Sequence, residues 1–515
     1  MPLSKVAGVL AAVLAAVTAI VAAQERVPGF RAIISDTGLP GIDTGVRDAD
    51  PPRGPRTRAY ELINRSRSLP RLRGSIIVKF KAGIAAASQQ AMLAHAGASM
   101  ATDAPPYSDF DIVTISDTAD PELAARELGA QPDVEYAQAR HRMHPTFVPN
   151  DPLYSMQWNF PAIDMEHAWD LNAGASSSII VAVLDTGIAF RNALVRYRAD
   201  AFTATNGATH ISFPALGTID VPFAAAPDLG GSDRFVAPRD FIWNDTSPVD
   251  TDGHGTHVAG TIGQSTNNGV GVAGMAFNVR LMPVKVIDSE WDFIFNSPEE
   301  GTDDVAARGI RYAVDNGAKV LNMSFGETDG PSPVIRDAMV YAVSRGAFLA
   351  ISAGNSFEDG NKQSWPAAYA RDLQGVVAVG AIGRDRVRAF YSNTGPYLEL
   401  AAPGGNSRVG GTPGTILQQT YDLSFVETFL SGPSRYRAPR FDVFSYQFFQ
   451  GTSMAAPHVA GFAALLIQQG ITSPAAIEAA MEQFATDLGP AGRDDQYGYG
   501  LINPRASLRG LGLAK

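Results

Sequence analysis

Residues 178–187 read Ser178-Ile179-Ile180-Val181-Ala182-Val183-Leu184-Asp185-Thr186-Gly187, an unbroken apolar run that stops at an acid, a hydroxyl and a glycine. Apolar side chains in succession, rather than in alternation, describe a strand buried on both faces, as in a parallel sheet covered by helices. Residues 320–325, 348–352 and 376–381 repeat the pattern, and 303–316, 333–344 and 453–469 carry helical spacing between and after them. Strands alternating with helices predict an α/β fold over residues 148–515: a doubly wound, mostly parallel sheet with helices on both faces. Two stretches, 191–238 and 405–446, bear Gly and Pro and fit this scheme poorly, so they are expected to be surface insertions. The second ends just before Gly451 and is rich in aromatic residues.

Upstream the pattern changes. Within 74–147, strands are expected over 75–81, 100–106, 111–116 and 134–137, with helices over 85–96 and 121–128. That order, β-α-β-β-α-β, describes a small split-βαβ domain. Residues 24–73 are rich in Arg, Pro and Gly without periodicity and read as a linker. The first 23 residues have Lys5 ahead of an apolar run and end on Val21-Ala22-Ala23, the pattern of a signal peptide. A membrane anchor would need a longer run followed by basic residues. The chain is therefore expected to be secreted, from a bacterium, with no membrane contact once the signal is removed.

Composition agrees with an exported globular protein. Of 515 residues, 45% are hydrophobic and 18% charged, and there is no cysteine, so no disulfide contributes to stability. The formal charge is −11, and the part from Phe147 onward alone carries −12, with 25 Lys/Arg against 37 Asp/Glu. An acidic body argues against a nucleic-acid partner, which would require the opposite sign.

Three motifs stand at strand-to-helix junctions or helix starts. Asp185 ends the buried strand; His254 lies in Asp252-Gly253-His254-Gly255-Thr256-His257; Ser453 lies in Gly451-Thr452-Ser453-Met454-Ala455. In open α/β sheets such junctions share the crevice beyond the carboxyl ends of the strands. A serine hydroxyl needs an adjacent base, a histidine can take and return its proton, and a buried aspartate fixes the imidazole tautomer. Asn355, after a strand and Gly354, is a candidate amide donor to the oxyanion, with the Ser453 N–H as the second. Singly, Asp185 and Ser453 could as well be helix caps. His254 and His257 lack an acid at zinc-protease spacing, so His257 and His458 are expected to be structural.

The order Asp185, His254, Asn355, Ser453 resembles the subtilisin family of serine proteases, and residues 74–137 resemble that family's propeptide. The resemblance implies a secreted serine endopeptidase that hydrolyses peptide bonds through an acyl-enzyme, with Ser453 as nucleophile, His254 as general base and acid, Asp185 orienting it and Asn355 in the oxyanion hole. Ser324, Phe325 and Gly326 resemble the family's substrate-binding edge strand, and Trp365-Pro366-Ala367 a pocket wall. The chemistry requires no cofactor. Residues 266–272 resemble a calcium loop, which makes Asn268 and Asp151 candidate ligands of a structural Ca²⁺, although the aspartate usual just after the first motif is not evident in 188–194. The implied partners are protein and peptide substrates, and the chain's own propeptide as intramolecular inhibitor; a monomer is expected. A catalytically silent peptide binder or a strict precursor processor would be the alternative functions.

Overall fold

The computed structural model describes residues 71–100, 108–141, 147–206 and 209–510; the expected signal peptide and most of the expected linker lie outside them. The described residues fall into two compact units that part between Thr146 and Phe147.

The first unit is a four-stranded antiparallel sheet in the order β2-β3-β1-β4, built from β1 (Arg71–Phe80), β2 (Ser99–Met100), β3 (Asp111–Thr114) and β4 (Val134–His141). Helices α1 (Ala86–His95) and α2 (Pro121–Gly129) join the strands. Pro121 starts α2 where its missing N–H costs nothing, and Asp120 accepts the Glu122 N–H at 2.9 Å. Ile76, Val78, Leu93, Val113, Ala125 and Leu128 close a small core. Two boundaries differ from expectation. β1 begins at Arg71, inside the stretch read as linker, and β4 runs on to His141. Both extensions come from long-range pairing, Arg71 opposite His141 and Ile76 opposite Ala139, which local propensity does not encode. Of the expected strand at 100–106, Ser99–Met100 is seen, and 101–107 lie outside the described residues.

The second unit carries a seven-stranded parallel sheet. Its strands are β5 (Ile180–Asp185), β10 (Arg239–Asp240), β11 (Arg280–Lys285), β12 (Val320–Met323), β13 (Phe348–Ser352), β14 (Val376–Ile382) and β15 (Leu400–Pro403). The spatial order is β10-β11-β5-β12-β13-β14-β15. Successive residues of β5 serve both faces. Val181 and Val183 pack with α3 (His254–Gly263) and α6 (Thr452–Gln468), whereas Ala182 and Leu184 pack with α4 (Asp303–Asp315) and α5 (Pro333–Ser344). Each such Val or Leu, fully buried, contributes about 1.5–3 kcal/mol over exposure. This is why the strand tolerates no polar residue until Asp185. The chain leaves β5 for β11 on one side and returns to β12 on the other, so the strand order reverses at β5, the position where doubly wound sheets open a crevice.

The two insertions are built from paired strands: the first is largely exposed, as expected of a surface insertion, whereas the second buries residues 416–421, which corrects the expectation there. Residues 193–223 form nested hairpins, β6 (Ala193–Ala199) with β9 (Gly217–Phe223) around β7 (Phe202–Asn206) with β8 (Thr209–Phe213). Residues 416–449 form a ribbon, β16 (Ile416–Tyr421) with β17 (Phe444–Phe449). Every residue of β16 is buried. The two insertions hold each other: Phe223 stacks on Phe441 at 4.8 Å, and the Ala224 N–H donates to the Phe441 carbonyl. Tyr436 packs against Phe213 and Trp291. Aromatic content in a Gly/Pro-bearing stretch signalled burial here more than it signalled a flap.

Candidate active site

Asp185 closes β5 with its side chain 2% exposed. One carboxylate oxygen, Oδ1, accepts the Thr186 N–H at 2.8 Å and the His254 Nδ1–H at 2.7 Å; Oδ2 is buried with no partner. The bond fixes the proton on Nδ1 and leaves Nε2 as the basic nitrogen. His254 reaches the strand because Gly255 follows it. A Cβ at 255 would lie 2.1 Å from the Gly187 carbonyl oxygen, so no other residue lets the helix start so close to β5. Burial of the imidazole disfavours its charged form, but the charge and hydrogen bond of Asp185, with Asp252 and Asp250 behind, outweigh it and raise its pKa above the ordinary 6.5.

Several residues that sequence reasoning passed over assemble this corner. Asp250 accepts from the Thr186 hydroxyl, from the backbone N–H of Asp252, Gly253 and Thr256, and from the Thr256 hydroxyl. Asp252 accepts the His254 N–H at 2.9 Å. An acid four residues before a helix-starting histidine was the available signal. The ribbon buttresses the same helix: Thr420 donates to the Gly253 carbonyl at 2.6 Å and Tyr421 to the Asp250 carbonyl at 3.1 Å. His257 Nε2 donates to the carbonyls of Ile416 and Gln447. Burial first, then neighbouring His254, lowers the His257 pKa to about 3, and burial lowers His458 to about 4. Both are neutral structural histidines, as expected.

Ser453 stands at the second position of α6. Pro457, four residues on, has no N–H to give the Ser453 carbonyl, which instead accepts the Ser324 hydroxyl at 2.8 Å. The Ser453 hydroxyl donates to the Ser324 carbonyl at 3.1 Å rather than to His254, a loose geometry usual before substrate arrives. Met323 pairs with Leu184, so Ser324 leaves the sheet beside Asp185 and carries the serine to the same sheet end. Asn355 Oδ1 accepts the N–H and hydroxyl of Thr452, both at 2.9 Å, which settles the amide orientation and turns Nδ2 away from Thr452. A Cβ at Gly451 would sit 3.6 Å from Asn355 Nδ2 and 3.6 Å from the Ser453 nitrogen. Asn355 Nδ2 and the Ser453 N–H thus lie on either side of the position a side chain at 451 would take.

Ser324, Phe325 and Gly326 follow the carboxyl end of β12. Glu327 pairs with Trp365 through two backbone hydrogen bonds, and Gly326 has Ser364 and Trp365 against its Cα, so this strip is covered on one side. Asp151 Oδ2 accepts the Asn267 N–H at 2.7 Å and its Oδ1 the Asn268 N–H at 3.3 Å. Asp228, at the far end of the first insertion and fully buried, accepts from Asn268 Nδ2 at 2.8 Å. Burial, with the charge of Asp151 adding, pushes Asp228 up to about 6.

Chemistry of this kind on a sheet of this topology is that of a serine peptidase. Residues 176–500 match the subtilase family (Peptidase_S8), and residues 67–139 match the fervidolysin N-terminal prodomain. The chain is 30% identical over 435 residues to a thermophilic serine proteinase of Bacillus sp. (strain AK1), covering 84% of this chain and 86% of that one. It is 32% identical to an extracellular protease of Xanthomonas campestris pv. campestris, over 76% of this chain and 62% of that one. Among solved structures, a protease of Pseudoalteromonas arctica aligns with a TM-score of 0.53 at 28% identity, over 72% of this chain and all of that chain. The chain therefore belongs to the subtilase family: it is a subtilisin-like serine protease, a hydrolase, and it carries a prodomain. Among the described residues no helix is long and apolar enough to cross a membrane.

Proposed function

We propose that Ser453 is the nucleophile of this endopeptidase, His254 its general base and then acid, and Asp185 the group that orients His254. The observation that carries the reading is the 2.7 Å bond from His254 Nδ1–H to Asp185 at the end of β5. His254 Nε2 takes the Ser453 proton as the hydroxyl attacks the peptide carbonyl, and returns it to the leaving amine; water then releases the acyl group by the same path. Asn355 Nδ2 and the Ser453 N–H hold the oxyanion in the space that Gly451 leaves open. The open side of residues 324–326 pairs with the substrate backbone as an added strand. No cofactor enters the chemistry.

Asp151 and Asp228 are carboxylates of the kind that suits Ca²⁺, and Asn268, whose Nδ2 faces Asp228 while its Oδ1 accepts the Val270 N–H, is the third candidate ligand. A bound Ca²⁺ would tie the segment after 147 to the 266–272 loop, far in function from the bond-breaking step. Residues 74–147 act as the chain's own folding aid and inhibitor, and the enzyme works on proteins outside the cell. Ser453→Ala tests the nucleophile. Turnover on a protein substrate is expected to fall by about 10⁶, the scale known for subtilisin, with the fold intact by circular dichroism. A variant that keeps a substantial fraction of activity would refute the assignment.

A further inference from the structure

Away from the active-site crevice, three glutamates converge where the last long helix of the second unit meets the edge of its sheet. Glu478 and Glu482 lie one turn apart on α7 (Pro474–Gln483), and Glu399 immediately precedes β15. One carboxylate oxygen from each lies within 4.8 Å of the others. Glu399 and Glu478 are each only 8% exposed, and Glu399 Oε2 is sealed from solvent with no hydrogen-bond partner. Glu478 accepts the Gly375 N–H, and half-buried Glu482 forms the side open to water. Arg493 acts on Glu399 and Glu482 through its charge, but its guanidinium is spent on the carbonyls of Pro396 and Leu398 and on Asp495. Tyr499 is the remaining titratable group there.

Three carboxylates this close cannot all ionise without a compensating charge. A proton or a cation can supply the compensation. Three oxygens all within 4.8 Å of one another are compatible with a shared Ca²⁺-sized ion, which holds each at about 2.3–2.6 Å. We propose that Glu399, Glu478 and Glu482 form a binding site for a hard divalent cation of the calcium class, which clamps α7 to the edge strand β15. Water entering beside Glu482 completes the coordination. This site is separate from Asp151, Asp228 and Asn268, and the proposal does not depend on them.

The test uses the full chain with Ser453→Ala to prevent self-digestion, stripped with chelator and then dialysed against CaCl₂. Bound calcium is counted by atomic emission, and the thermal midpoint is read with calcium and with chelator. Glu478→Gln/Glu482→Gln should bind one calcium fewer per chain than its parent, or bind it at least 100-fold more weakly. Asp151→Asn/Asp228→Asn controls for the other candidate site, and a loss there leaves this result unchanged. Glu399→Gln supplies a second reading that a folding defect cannot mimic. Relieving repulsion should raise its midpoint in chelator, whereas in calcium its midpoint should fall below the parent's. An unchanged calcium count in the double glutamine variant, with Glu399→Gln raising the midpoint alike in both media, would overturn the proposal and leave a cluster that holds protons.

Discussion

At the scale of single residues, the site turns on what can approach His254 and Ser453. The Asp185 charge stabilises protonated His254, so the histidine keeps its proton to higher pH than a free imidazole. The protonated pair stabilises the fold below about pH 6.5, and that contribution is lost as pH rises through the raised pKa. Catalysis needs the neutral ring, so its dependence runs the other way. kcat/KM is expected to rise with pH through a midpoint above 6.5. In Asp185→Asn the residual activity, about 10⁴-fold lower, should have its midpoint shifted down. A midpoint that did not move would mean Asp185 is not what sets the His254 charge. The oxyanion space makes a paired prediction. Asn355→Ala should lower turnover by about 10²–10³ with KM little changed, because the amide meets charge only in the transition state. Gly451→Ala, which adds a carbon 3.6 Å from both donors, should produce a loss of similar size while both donors remain. Steady-state kinetics on one peptide substrate checks the pair. Full turnover in Gly451→Ala would place the oxyanion elsewhere.

At the scale of elements, the ribbon β16–β17 decides how His254 is held. Its Thr420 and Tyr421 hydroxyls and its carbonyls bond the turn and helix that carry His254. A surface flap could be shortened freely, but this ribbon cannot. Phe441, fully buried and stacked on Phe223, joins the two insertions. Phe441→Ala is expected to cost about 3–5 kcal/mol in urea unfolding of the Ser453→Ala protein. A cost below about 1 kcal/mol would return the insertion to the status of a loop. The same physics explains why the insertions resisted reading. Hairpins that bury aromatics against a neighbouring insertion show neither strict alternation nor helical spacing, because their apolar positions answer to a partner remote in sequence.

At the scale of the whole molecule, the two units part in a short stretch between β4 and Phe147. β4 stays paired as far as His141. Phe147 already belongs to the second unit: its N–H donates to Asp170 at 2.8 Å, and its ring packs on Trp169 and Phe277. Self-cleavage that separates the units without tearing either is therefore expected after His141 and at or before Phe147. Intact mass of the purified wild type should give a mature chain starting within that window, and Ser453→Ala should retain the prodomain. A parallel sheet is slow to form because its pairings are non-local, so refolding of the mature chain should accelerate when residues 74–147 are added in trans. An uncut yet fully active wild type would remove the maturation reading.

What the sequence by itself determined was local. The apolar run ending at Asp185, the glycines around His254, and Ser453 at a helix start each place a side chain through the few residues beside it, so their order along the chain was enough to identify fold and family. The helix over 333–344 and the strand over 348–352 fell where periodicity put them. Tertiary structure alone decided what depends on distant partners. Asp228 reaches Asn268 only because the first insertion folds back over 40 residues, and Asp250 becomes a hub only when β5 and α3 meet around it. β4 lengthens because β1 lies beside it, and three glutamates separated in sequence become one cluster because α7 docks at the sheet edge. Burial sets these outcomes: once apolar faces are withdrawn from water, the polar groups carried with them must find partners wherever the packing has left them.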